Sequence, residues 1–162
     1  MSSQGIPTGL LDAIRAETAL YGARRNETGL FLLAPHDAAE ISHVAFAGVR
    51  GIARRRGLLT VSPGALTKLF RYAREYGLAV AAQAHSHERG AFLSQCDLQH
   101  GFAVEGFTSA VIPDFRAPSA DPADWGWWRF STGQWQACEP YRRVPGSGTA
   151  TVEFDEDGVR AR

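Results

Sequence analysis

Residues 78–100 read LAVAAQAHSHERGAFLSQCDLQH. The opening LAVAAQA is a continuous apolar run interrupted only by Gln83, the pattern of a central strand. Side chains alternate across a strand, so His85 and His87 leave the end of that run on one side and Ser86 on the other. Two imidazoles on one side have the geometry to hold one ion. Ser94 and Asp97 then show the S-x-x-D spacing of a capping box, which opens a helix near Gln95 with Asp97 in its first turn. From there the chain can swing back beside the strand end. Two imidazole nitrogens and one carboxylate oxygen leave a fourth tetrahedral position open, the mark of a catalytic rather than a structural zinc site. Zinc in such a site lowers the pKa of a bound water to about 7.

The same residues have a plainer reading, because a polar loop entering a capped helix needs no metal. His100, three residues after Asp97 on the same helical face, is a competing ligand that would close the site. Cys96 reads as buried filler facing away from the strand end. A hydrolytic site also requires a general base and an oxyanion donor. Ser94 offers a hydroxyl, but Glu88 lies in an exposed loop, so the base must come from elsewhere in the fold.

Around this stretch the chain alternates strand and helix signals. VSPGALTKLFRYAREYG (61–77) carries Ser62 as a cap, Pro63 at the first helical position, an apolar stripe of Leu66, Leu69, Phe70 and Ala73, and Gly77 as a stop. TGLLDAIRAETALYG (8–22) is a second helix, with Thr8 as cap and Gly22 as stop. TGLFLLAP (28–35) and EISHVAFAGV (40–49) pair as strands across a turn, which makes His36 and His43 turn and sheet-face residues rather than ligands. TSAVIP (108–113) is a short strand, and WGWWRFSTGQWQAC a hairpin. The segment from Gly146 onward is polar and glycine-rich and reads as a loosely ordered tail or one edge strand. This pattern gives an α/β (α+β) single domain over residues 1–145, with a mixed β-sheet flanked by helices, and a tail over 146–162.

Composition narrows the function. The 162 residues carry 17 basic and 17 acidic side chains, so nucleic-acid binding has no electrostatic support. No run reaches the roughly 18 apolar residues of a membrane span, and no signal-peptide pattern opens the chain. Two cysteines make no disulfide framework, so a cytoplasmic location is expected. Two surfaces suggest themselves for a partner: the arginine run Arg54, Arg55 and Arg56, and the tryptophans Trp125, Trp127, Trp128 and Trp135. The tryptophans fit core and sheet packing better.

The motif resembles that of the JAMM (MPN-plus) metalloproteases: a glutamate before an early apolar strand, then H-x-H, then S-x-x-D. NETGLFLLA supplies Glu27, and AHSHERGAFLSQCD supplies His85, His87, Ser94 and Asp97. The likeness runs over roughly residues 8–137 and is similar to the prokaryotic branch of the family, with its cytidine-deaminase-like sheet. It implies that His85, His87 and Asp97 ligate one Zn²⁺ per chain, that Glu27 is the general acid/base, and that Ser94 hydrogen-bonds the oxyanion. It also implies an isopeptidase or peptidase that cuts after the terminal glycine of a ubiquitin-like protein or its conjugates. The activating and conjugating enzymes of the same system, including antiphage systems, would be further partners. The alternatives within the resemblance are a peptidase for a sulfur-carrier β-grasp protein and a non-catalytic MPN scaffold. Two departures stand out. Six residues rather than seven separate His87 from Ser94, and Glu88 stands where the family often has proline.

Overall fold

The computed structural model describes residues 4–100, 102–148 and 150–162, the side chain of His100 excepted. In chain order the elements are β1 (Gly5–Pro7), α1 (Thr8–Gly22), β2 (Gly29–Pro35), β3 (His43–Ala47), β4 (Ile52–Arg54), β5 (Leu59–Val61), α2 (Pro63–Glu75) and β6 (Leu78–Ser86). They continue with α3 (Gln95–His100), β7 (Thr108–Ile112), a 3-10 turn at Pro122–Asp124, β8 (Gly126–Ser131), β9 (Gln134–Ala137), β10 (Arg142–Val144), β11 (Ala150–Asp155) and β12 (Gly158–Ala161).

Eight strands form one mixed sheet in the order β12-β11-β3-β2-β6-β7-β8-β9, with β6 parallel to β7 and β11 parallel to β3. The apolar run at residue 78 is therefore an interior strand, covered on both faces. Alternation along β2 divides the core: Leu30 and Leu32 face α1, while Phe31 and Leu33 face α2. Leu10, Leu11 and Ile14 of α1 close the first layer, and Ala65, Leu69 and Ala73 of α2 close the second.

A register shift between Leu32 and Leu33 places a bulge in β6 at Ala81 and Ala82, both of which pack towards the α1 layer. Val80, before the bulge, faces the α2 layer, and so does Gln83 after it, opposite Phe31. The bulge thus changes the parity of the strand and sends His85 out on the α2 and α3 side.

Both helix signals hold, with corrections at their ends. Ser62 accepts from the Ala65 amide at 3.2 Å, and Gly77 adopts φ +64°. Thr8 does not cap α1: it is the first helical residue, and its hydroxyl donates to the Gly146 carbonyl at 3.0 Å. Gly22 is the last residue of α1 rather than a stop beyond it, and it must be glycine for a steric reason, because a Cβ there would lie 2.0 Å from the Phe115 carbonyl oxygen.

The expected loose tail is corrected outright. β11 and β12 form a hairpin, β11 sits between β12 and β3, and Val152 and Phe154 are buried in the α2 layer. Gly146 likewise ties back to α1. The tryptophans divide between the faces. Trp125 and Trp127 stack at 5.8 Å and are buried, with Trp127 also stacked on Tyr141 at 4.6 Å, so these two are core rather than docking residues. Trp128 and Trp135 stand half-buried on the hairpin β8–β9.

Candidate metal centre

The site forms where β6 ends, between the start of β2 and the start of α3. Ser86 points away from its neighbours and locks β6 to β2: its hydroxyl accepts from the Thr28 amide at 2.9 Å, and its own amide donates to the Thr28 carbonyl at 2.9 Å. His85 and His87 consequently project together. The capping box of α3 is reciprocal. The Asp97 amide donates to Ser94 Oγ at 3.1 Å, and the Ser94 amide donates to Asp97 Oδ2 at 2.7 Å. That pair of bonds turns the Asp97 carboxylate towards the strand end.

The short loop between His87 and Ser94 is held by the turn after β7. The Phe115 amide donates to the His87 carbonyl at 3.0 Å, and the Asp114 amide to the Arg89 carbonyl at 2.9 Å. The His87 end of the loop is thereby tied to the end of the sheet.

Three donors converge. His85 Nε2 and His87 Nε2 are 3.1 Å apart, His85 Nε2 is 3.1 Å from Asp97 Oδ1, and His87 Nε2 is 3.3 Å from Asp97 Oδ2. His87 Nδ1 lies 3.2 Å from the Gly90 carbonyl, a contact that leaves its Nε2 free to ligate. With zinc–ligand bonds of about 2.0–2.1 Å, neighbouring ligands of a tetrahedral ion lie about 3.3 Å apart. The separations are close to that spacing, His85 meeting one oxygen of Asp97 and His87 the other, and nitrogen with carboxylate oxygen is a donor set suited to zinc. The cluster can therefore hold a metal ion.

Glu27 approaches from the other side, with Oε1 3.8 Å from His87 Nε2. Burial pushes its carboxyl up to about 7, against the pull of His87 and with the nearby Asp97 charge adding to the rise. Asp97 shifts the other way: burial would raise it, but hydrogen bonds from His85 and His87 outweigh burial and hold it well below the usual carboxylate range. Burial likewise opposes charge on His87, yet its bond to Asp97 and the field of Glu27 leave it raised. These opposed shifts are what a cation would relieve, since ligation replaces the protons.

All five residues singled out in the sequence meet here. Glu27, His87 and Ser94 line one open cleft, together with Phe92, whose ring lies edge-on to His87 at 4.8 Å. His85 and Asp97 line a smaller pocket on the opposite side, with Gln83, Ser109 and Leu59. Cys96 lines that pocket and is exposed, which corrects its reading as buried filler; in a short helix at the surface, the residue beside an inward-facing Asp97 points out. The competing-ligand role of His100 falls on a side chain outside the described residues. Neither His36 nor His43 joins the cluster; His43 instead contacts Ser42 Oγ at 2.7 Å.

Sequence reasoning missed the hairpin β4–β5, which borders the site. The arginine run on it is not one surface. Arg54 turns inward, whereas Arg56 makes a two-pronged pair with Glu88 at 2.7 and 3.0 Å across the cleft. Only the charge of the run was visible in the sequence.

No family model matches the chain. Solved structures do. A solution structure from Desulfitobacterium hafniense is similar at a TM-score of 0.67 and 14% identity, covering 88% of this chain and 93% of that one. A JAB1/MPN domain protein from Archaeoglobus fulgidus is similar at 0.50 and 17% identity, over 89% of this chain and 100% of the other. A solution structure from Salinibacter ruber gives 0.57 and 23%, over 88% and 93%. These likenesses establish the fold: a mixed α/β domain of the JAB1/MPN kind. Among the described residues no helix is long and apolar enough to cross a membrane.

Proposed function

We propose that this chain is a zinc-dependent peptidase or isopeptidase of the JAMM type, with His85, His87 and Asp97 as ligands, Glu27 as general acid/base and Ser94 as oxyanion donor. The observation that carries the reading is the convergence of two buried imidazole nitrogens and a carboxylate within 3.1–3.3 Å, with a second buried carboxyl 3.8 Å away. Bound zinc supplies a Lewis acid and a water acidified to a pKa of about 7. The residues of the chain do the rest. Glu27 takes a proton from the attacking water and returns it to the leaving amine, a role suited to a carboxyl poised near neutrality. Ser94 Oγ already accepts from the Asp97 amide, so its own proton remains to be donated to the oxyanion.

The substrate we propose is a ubiquitin-like protein cut after its terminal glycine, in precursor processing, in deconjugation or in both. A bacterial antiphage ubiquitin-like system is one setting that fits a compact catalytic domain. The test combines metal content with cleavage. Wild type and Asp97→Ala are assayed for zinc per chain and for cutting of ubiquitin-like and sulfur-carrier β-grasp proteins fused through a terminal glycine. One zinc per wild-type chain, with cleavage of at least one fusion and loss of both properties in the variant, is the expected result. A folded wild type that takes no zinc would overturn the reading; zinc without cleavage of any fusion would leave a binding role.

A further inference from the structure

We propose that Arg54 is a positioning residue for Glu27, acting through Thr28; the inference rests on the reading of Glu27 as general base. Among the described residues the Glu27 carboxylate accepts no hydrogen bond, its nearest charged neighbour being His87 at 3.8 Å. A side chain with no tether of its own is aimed by its backbone, and the backbone at this point is held on two sides. The Glu27 amide donates to the Arg55 carbonyl at 2.8 Å. Next to it, Thr28 is bonded through its amide and its carbonyl to Ser86, which sits between the two histidines.

Arg54 completes this frame. Its Nε donates to Thr28 Oγ1 at 3.1 Å, one terminal nitrogen donates to the Gly48 carbonyl at 2.6 Å, and the other donates to the Ala47 carbonyl. The guanidinium lies 4.1 Å from the centre of the Tyr21 ring, so it links α1, the end of β3 and the start of β2. No carboxylate is within ion-pair distance of it among the described residues. A half-buried cation is costly unless it is hydrogen-bonded, and here each of the three guanidinium nitrogens donates to an acceptor, on two segments of the chain. Lysine cannot reproduce that, since its ammonium is a single point charge without the fixed fork. The charge is thus placed where geometry, rather than substrate contact, requires it.

The test uses the full chain loaded with zinc, in two variants: Arg54→Lys, and Thr28→Val, which keeps the shape of the side chain and deletes only the acceptor. Amide hydrogen exchange at Glu27 should quicken about tenfold in both, the effect of losing one charged hydrogen bond. Exchange in α2 and zinc content should stay at wild-type values. On whichever glycine-terminated fusion wild type cuts, kcat should fall by about 10- to 100-fold, with KM within about twofold. Unchanged exchange at Glu27 in both variants overturns the proposal, and so does an equal rise at Glu27 and throughout α2. If wild type cuts no fusion, the peptidase reading fails while the exchange measurement still decides the role of Arg54.

Discussion

Ser94 serves two masters, and the two can be separated by substitution. Its oxygen caps α3 by accepting the Asp97 amide, and the residue lines the same cleft as Glu27 and His87. Ser94→Ala removes cap and hydroxyl together, at a cost of about 1 kcal/mol for a lost cap. Ser94→Gly removes the hydroxyl but costs the helix only a few tenths of a kcal/mol. If the hydroxyl stabilises an oxyanion, kcat falls by about 10²–10³-fold in both variants despite their different stabilities. Activity that tracks stability across the pair would assign Ser94 to capping alone. Glu27→Gln is the companion measurement: on the proposed mechanism zinc should be retained, because the proposed ligands are untouched, and turnover should fall by about 10²–10⁴-fold. His85, His87, Ser94 and Asp97 were legible in the sequence because each belongs to a local pattern of strand alternation or helix capping, whereas Glu27 came only from the resemblance of NETGLFLLA to the JAMM motif. Arg54 was not legible, since nothing local distinguishes it from Arg55 and Arg56. Its inward turn is set by Thr28, Ala47 and Gly48, which only the fold brings near.

At the scale of elements, what was legible divides by where the partner lies. β2, β3, β6 and the two longer helices announce themselves by runs and periods long enough to stand alone. β1 and β10 are three residues each and pair with one another across the length of the chain, so neither carries a pattern of its own. In the β11–β12 hairpin the alternation of Val152 and Phe154 was present, but an acidic, glycine-bearing setting disguised it. The acid that hides the hairpin also holds it. Asp155 accepts from Arg160 at 2.8 and 3.1 Å, from the Val49 amide at 3.1 Å and from the Asp157 amide at 2.9 Å. The Arg160 bonds outweigh burial and keep its carboxyl well below the ordinary range. A depressed carboxyl stabilises the fold above its unfolded value, about 3.9, and loses that contribution as pH falls towards the folded one. Asp155→Asn should therefore cost roughly 2 kcal/mol at neutral pH, and urea titrations should show the gap to wild type closing below about pH 4. A gap independent of pH would mean that the carboxylate charge contributes nothing. Gly22→Ala tests a contact of another kind. Its new methyl would meet backbone, which cannot swing aside, so a loss of about 3 kcal/mol is expected in the same titration.

For the whole molecule, the decisive relation is between the metal and the two cores. The α1 layer and the α2 layer each close over their own face of the sheet with apolar side chains alone. Two of the candidate ligands stand at the end of an interior strand that both layers fix, and the third stands on a helix of six residues. Folding is therefore expected not to wait for an ion, in contrast to a small domain organised around structural zinc. Binding still stabilises by linkage, by about 2.7 kcal/mol when free zinc is a hundred times the dissociation constant. In a chain of this size each kcal/mol moves the melting temperature by about 2–4 °C. The chelated protein should thus remain folded and melt lower by roughly 5–10 °C, with the difference growing with free zinc and absent from Asp97→Ala. Hydrogen exchange should localise the change, with protection lost on chelation in α3 and the loop after His87 but kept in α1, α2 and β6. Collapse of the whole protection pattern on chelation would make the metal structural, and a structural zinc calls for a fourth protein ligand. Among the described residues the cluster holds three. Persistence of both cores with loss of α3 alone would mark an ion held at the edge of a finished fold, with one coordination position left for chemistry.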